Sequence, residues 1–225
     1  MSALTPHLGT QLTAGDSGGG SSPRRRRGLL LAAVALAALG VAAVALALLG
    51  GGGADEEPGA AGEVAVDGSA LEPFEDPADD AAIGAAAPAV DGADYDGSPV
   101  AVEPGEEPVV LLFLAHWCEV CDAELGTVQQ LVDRDALPEE VRLVAVSTGQ
   151  REGAVNHPAQ EWLDDAGWTV PTLVDNDAGH VAGAYGLGSY PYWVFIDGDG
   201  AVAGRLAGAL AGEDLVRLAE ELAAR

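Results

Sequence analysis

The 225-residue chain contains no lysine, and its ten arginines face 36 aspartates and glutamates, a formal charge of −26. Residues 1–50 hold Arg24 to Arg27 and one acid, Asp16, so residues 51–225 carry six arginines against 35 acids, a formal −29. A surface of that sign repels nucleic acid, which excludes DNA or RNA as a partner. Adaptation to high salt and a plain need for solubility are both compatible with it. Cysteine is nearly absent too: there are two. No second pair exists to complete a four-ligand zinc site. No cysteine follows the long apolar run near the N-terminus, which excludes a lipoprotein anchor. No internal repeat is visible, and the length fits one domain with accessory segments.

The two cysteines, Cys118 and Cys121, lie in Trp117-Cys118-Glu119-Val120-Cys121. An uncharged run, Val109 to Ala115, leads into them and reads as a buried strand. After them Glu124, Leu125, Val128 and Leu131 recur at helical spacing. The pair therefore sits where a strand becomes a helix. Free N–H groups and the helix dipole there favour a thiolate, the nucleophile of disulfide exchange. The second cysteine, one turn on, lies beneath the first and can resolve a mixed disulfide. A structural staple gains most by closing a long loop, and this one closes almost none.

Upstream, residues 1–27 read as a disordered cytoplasmic tail ending in Arg24 to Arg27. Residues 28–50 are 23 residues without a charge, enough to span a bilayer at about 1.5 Å per residue. The arginines on the N-terminal side predict a single-pass membrane segment with everything later exported. The competing reading is a cleaved signal peptide with Ala45-Leu46-Ala47 as its site, although this run is longer than the usual apolar region of about 7–15 residues. Residues 51–87 read as an acidic flexible linker, with ten acids and no base over 55–80.

The folded domain is expected over 88–225. Val90-Asp91-Gly92 and Asp96-Gly97-Ser98 read as turns around Tyr95, and Pro99 to Val102 as an edge strand. Strands are expected at Val141 to Ser147, Val170 to Asp175 and Tyr192 to Ile196. The last closes on the turn Asp197-Gly198-Asp199-Gly200 and pairs with Ala201 to Leu206. Helices are expected from His157 to Gly167 and from Glu213 to Arg225, the last with Leu215, Leu218 and Leu222 on one face, and a short helix or turn from Val181 to Leu187.

Trp-Cys-x-x-Cys after a buried strand, Tyr190-Pro191 before another, and Phe195-Ile196-Asp197-x-x-Gly200 resemble the thioredoxin superfamily. Val170 to Asp175 followed by Ala184-Tyr185-Gly186, with Glu124 three residues after the second cysteine, is similar to its membrane-anchored TlpA/ResA-like thiol-disulfide oxidoreductases. The resemblance implies an α/β three-layer sandwich with a central mixed sheet. It implies that Cys118 is the exposed nucleophile, Cys121 the buried resolving thiol and Pro191 a cis-proline against the pair. Tyr190 would offer its backbone to a substrate segment, Trp117 would shield the disulfide, and Glu124 would be a partly buried carboxylate exchanging a proton with Cys121. Each has a plainer alternative: a trans turn proline, a solvated glutamate. His116 either tunes the pair or is merely exposed, and His157 and His180 read as surface residues.

Many relatives have proline before the second cysteine, where this chain has Val120. Glu119 places a carboxylate beside Cys118, which disfavours the thiolate and lowers the reduction potential. In the family, glutamate here also occurs in reductants for cytochrome c maturation. These features lean towards reduction of an exported disulfide protein such as apocytochrome c, with a membrane electron donor for recycling. No cofactor or metal is implied. One alternative is a copper chaperone on the same fold, with His180 as a loose candidate ligand. The other is a thiol peroxidase, which needs a hydroxyl three residues before the reactive cysteine, where this chain has Ala115.

Overall fold

The computed structural model describes residues 61–225. The expected tail, membrane segment and first part of the linker lie outside the described residues. Among the described residues, no helix is long and apolar enough to cross a membrane.

A five-stranded mixed sheet forms the centre. Its strands are β4 (Val109–Leu114), β5 (Arg142–Ser147), β6 (Thr172–Val174), β7 (Tyr192–Ile196) and β8 (Val202–Ala207), in the order β6-β5-β4-β7-β8. β4 runs parallel to β5 and antiparallel to β7. Every residue of β4 is buried, because both faces of the sheet are covered. Period-two alternation divides its side chains between two cores. Val110, Leu112 and Leu114 pack with Cys121, Leu125 and Val128 of α1 (Glu119–Val132), Trp162 of α2 (Ala159–Asp165), and Leu215 and Leu222 of α4 (Gly212–Ala223). Val109, Leu111 and Phe113 face Val181 of α3 (His180–Ala184), Tyr185 and Tyr192.

That second face is closed by a three-stranded antiparallel sheet, β1 (Ala65–Asp67), β2 (Ala89–Ala93) and β3 (Pro99–Val102). The result is the three-layer α/β arrangement expected from the resemblance. Val90-Asp91-Gly92 is strand rather than turn. Asp91 pairs with Ala65 on one side and Ala101 on the other while its side chain stays exposed. Gly92 is needed for packing: a Cβ there would come within 3.1 Å of the Leu173 side chain.

The linker expected through residue 87 does not hold for residues 61–87, which belong to the folded unit. Leu71, Phe74 and Ala82 are buried in the core. The Leu71 N–H donates to the Ala184 carbonyl at 2.8 Å and the Phe74 N–H to that of Gly186 at 2.9 Å. Gly186, at φ +66, leaves room for this crossing, since a Cβ would lie 2.5 Å from the Glu72 carbonyl oxygen. Asp80 forms an ion pair with Arg205 that is closed to solvent on both sides. Scattered apolar residues and one buried carboxylate thus tie down a stretch whose other acids face water.

Candidate active site

Cys118 is the N-cap of α1, with extended backbone at φ −88, ψ 112. Its Sγ accepts from the Cys121 N–H at 3.4 Å, so the sulfur occupies a place usually held by a capping oxygen. Cys118 is half-buried, Cys121 is fully buried, and neither is in a disulfide. Glu119 and Val120 fill the first turn and are exposed.

Helical spacing puts Cys121, Glu124, Leu125, Val128 and Gln129 on the buried face of α1. Glu124 is therefore no solvated surface residue: it is 3% exposed. Its Oε1 accepts from the Leu210 N–H at 3.0 Å. Burial pushes the Glu124 carboxyl above the usual range, partly offset by that bond. Burial also drives the Cys121 thiol far up. The Cys118 sulfur and the Glu124 charge add to the rise, while the Ala115 backbone opposes it. A dithiol with one accessible and one deeply protonated sulfur is asymmetric, and the carboxylate close to the buried sulfur can exchange a proton with it.

The Tyr190–Pro191 bond is cis, as the resemblance implied. Pro191 is buried and its carbonyl accepts from the Gly208 N–H at 2.8 Å. Tyr190 is half-buried, and its ring meets Trp117 edge-on at 5.5 Å. Burial raises the Tyr190 hydroxyl pKa. Trp117 is half-buried and donates from Nε1 to the Gly149 carbonyl at 2.7 Å. Gly149 has φ +63, and a Cβ there would lie 2.6 Å from the Tyr190 hydroxyl. Glycine at this position therefore lets Trp117 and Tyr190 share one seat.

His116 is buried rather than exposed. Nε2 accepts from the Arg151 N–H at 3.1 Å, so Nδ1 carries the proton it shares with the Val155 carbonyl at 2.8 Å. The Asn156 amide donates to the His116 carbonyl at 3.0 Å. His116 thus fastens the 149–156 loop beside the pair. Reading the sequence missed this loop, because its contacts join residues more than thirty positions apart. It also missed Asp122, whose Oδ1 accepts from Trp162 Nε1 at 2.8 Å. A helical wheel places Asp122 next to Cys121 but gives no partner. His157 and His180 are exposed, as expected, and His180 shares a hydrogen bond with Asn176 at 2.9 Å.

A family model described as AhpC/TSA matches residues 83–205. The chain belongs to the AhpC/TSA family. Solved structures similar to this AhpC/TSA chain include StoA from Bacillus subtilis, at 20% identity over 60% of this chain and 97% of that one, TM-score 0.51. Another is a thiol:disulfide interchange protein of the thioredoxin family from Chlorobium tepidum TLS, at 19% identity over 61% and 95%, TM-score 0.52. At those identities the likeness establishes the thioredoxin-like fold, in agreement with the sequence resemblance.

Proposed function

We propose that this protein is a membrane-anchored, extracytoplasmic thiol-disulfide oxidoreductase that reduces disulfides in exported proteins. The observation that carries the reading is the asymmetric dithiol: accessible Cys118 capping α1, buried Cys121 one turn later, and Glu124 on the same buried face. The Cys118 thiolate attacks one sulfur of a substrate disulfide, forming a mixed disulfide and expelling the other sulfur as a thiolate, which takes a proton from solvent. Cys121 passes its proton to the Glu124 carboxylate and attacks Cys118 Sγ. The Cys118–substrate bond breaks, the departing substrate sulfur takes a second proton from solvent, and the substrate leaves as a dithiol, having received two electrons. A membrane electron donor must then return the Cys118–Cys121 disulfide to the dithiol.

The reducing direction is supported by Glu119, a carboxylate in the first turn beside Cys118, and by Val120 in place of proline. The anchor is supported by the 23 uncharged residues that follow Arg24 to Arg27. The peroxidase reading is weakened by Ala115, which is buried and offers no hydroxyl near the reactive sulfur. A copper site would need a third donor, and the candidate His180, at the exposed start of α3, is occupied with Asn176.

The test is the reduction potential of the full chain in detergent, equilibrated in thiol buffers and read by Trp117 fluorescence. A value at or below about −250 mV, near thioredoxin, fits a reductase, whereas one near about −120 mV means net oxidation. Absence of a reversible couple would remove the oxidoreductase reading altogether. In intact cells, a membrane-impermeant maleimide is expected to label Cys118. Protection until lysis would place the domain on the inner side instead.

A further inference from the structure

A positively charged side chain stands beside the redox pair in a domain dominated by acids. Arg151 is exposed, and its guanidinium lies over the Trp117 ring, 3.4 Å from the centroid. Trp117 directly precedes Cys118. The backbone beneath the guanidinium is clamped as well. The Arg151 N–H is tied to His116 Nε2 at 3.1 Å, the Gly149 carbonyl to Trp117 Nε1 at 2.7 Å, and the Val155 carbonyl to His116 Nδ1 at 2.8 Å. Both residues before the nucleophile therefore hold the loop that carries this arginine. The guanidinium is also near enough to Tyr190 to pull against the rise that burial imposes on its phenol.

The ion pairs among the described residues use Arg142, Arg205 and Arg217, and Arg151 is in none of them. Its neighbour Glu152 is exposed and does not pair with it. Here the guanidinium lies on the indole face, and among the described residues its N–H donors make no hydrogen bond to a protein acceptor. A planar, pre-set fork of donors is suited to a carboxylate.

We propose that Arg151 is a specificity-determining residue that binds an acidic side chain flanking the substrate's disulfide as that disulfide approaches Cys118. This inference rests on the oxidoreductase reading and names a substrate feature for it. The acidic residue would lie within a few positions of the attacked cysteine, since Trp117 and Cys118 are adjacent. The same loop exposes Val155, 65% accessible, and α1 exposes Val120, 45% accessible, so apolar neighbours of the acid are accommodated. The general field of the molecule acts the other way: a formal −26 attracts basic peptides and repels acidic ones. The local arginine and the global charge therefore predict opposite preferences, which makes the proposal separable.

The experiment uses the reduced full chain in detergent at one low ionic strength. Its probes are short disulfide-linked peptide dimers that differ only in carrying Asp, Asn or Lys next to the cysteine. Second-order rates of thiol release are followed by quenching and chromatography. The wild type is expected to favour the Asp peptide over the Lys peptide by about fivefold, a surface ion-pair effect. In Arg151→Gln the order is expected to reverse, with Lys fastest, because only the acidic field remains. A wild type that already favours Lys by the same ratio as Arg151→Gln overturns the proposal while leaving the oxidoreductase intact. A wild type inert towards all three peptides ends the oxidoreductase reading and this inference with it.

Discussion

A carboxylate buried against a buried thiol is held at a cost, and at Glu124 the sign of that cost can be followed with pH. Burial raises the folded-state pKa above its unfolded value, so the folded protein binds the extra proton more tightly. The associated stability is present in full below the ordinary carboxylate value and is lost as pH rises through the folded value. Glu124→Gln removes that dependence and keeps an oxygen for the Leu210 N–H. The reduced variant is therefore expected to gain stability relative to wild type between about pH 4 and pH 7. Its resolving step should nevertheless slow by about a hundredfold, because the proton acceptor for Cys121 is gone. Urea unfolding at the two pH values and single-turnover decay of a mixed disulfide check both halves. Unfolding curves that stay parallel at both pH values would mean that Glu124 is not held against its charge.

At the scale of elements, the central strands were readable because each is a short continuous apolar run, and both faces of the sheet demand that. The helix after the cysteines was readable from its spacing, whereas the burial of Glu124 was implied only by the family resemblance. Of the N-terminal sheet only β3, Pro99–Val102, was readable, as the expected edge strand. Asp91 and Gly92 are turn formers that packing holds in a strand, since Gly92 accommodates Leu173, and all three residues of β1 are exposed. Nor could local sequence reveal that Asp80 would meet Arg205 across 125 positions. The Arg205 Nε donates to Asp80 Oδ2 at 2.8 Å and its Nη1 to the Glu72 carbonyl at 2.9 Å. One side chain thus fastens residues 72–80 to β8. Breaking a buried pair from one side leaves the other charge unmatched, at a cost of about 3–5 kcal/mol. Asp80→Asn is expected to lose stability of that order in chemical denaturation, and a chain begun at residue 88 to lose more, since Leu71, Phe74 and Ala82 go with it. A chain begun at residue 88 that unfolds at the wild-type urea midpoint would show the segment to be dispensable.

For the molecule as a whole, charge of one sign sets a condition on stability that no single contact relieves. The described ion pairs engage three arginines, and only that of Arg205 is buried. Most of the excess negative charge therefore faces solvent unmatched, and compaction brings like charges together. Screening at physiological ionic strength acts over about 8 Å, shortening to about 3 Å at 1 M salt. Added salt weakens the repulsion among the many exposed acids while barely touching the buried Asp80–Arg205 pair. The melting temperature is accordingly expected to rise from low salt to about 0.5 M NaCl, with KCl acting equally. The increase should continue beyond the concentration at which a near-neutral domain levels off, because weak repulsions are summed over the whole surface. A specific cation site would instead saturate early and distinguish sodium from potassium. A flat profile would mean that the acids lie too far apart to oppose folding, leaving solubility as the role of the charge. The same screening separates the global field from Arg151. Salt should erase the field's preference for basic peptides first, since that preference acts at long range, while the arginine's contact with a flanking acid persists to higher concentrations.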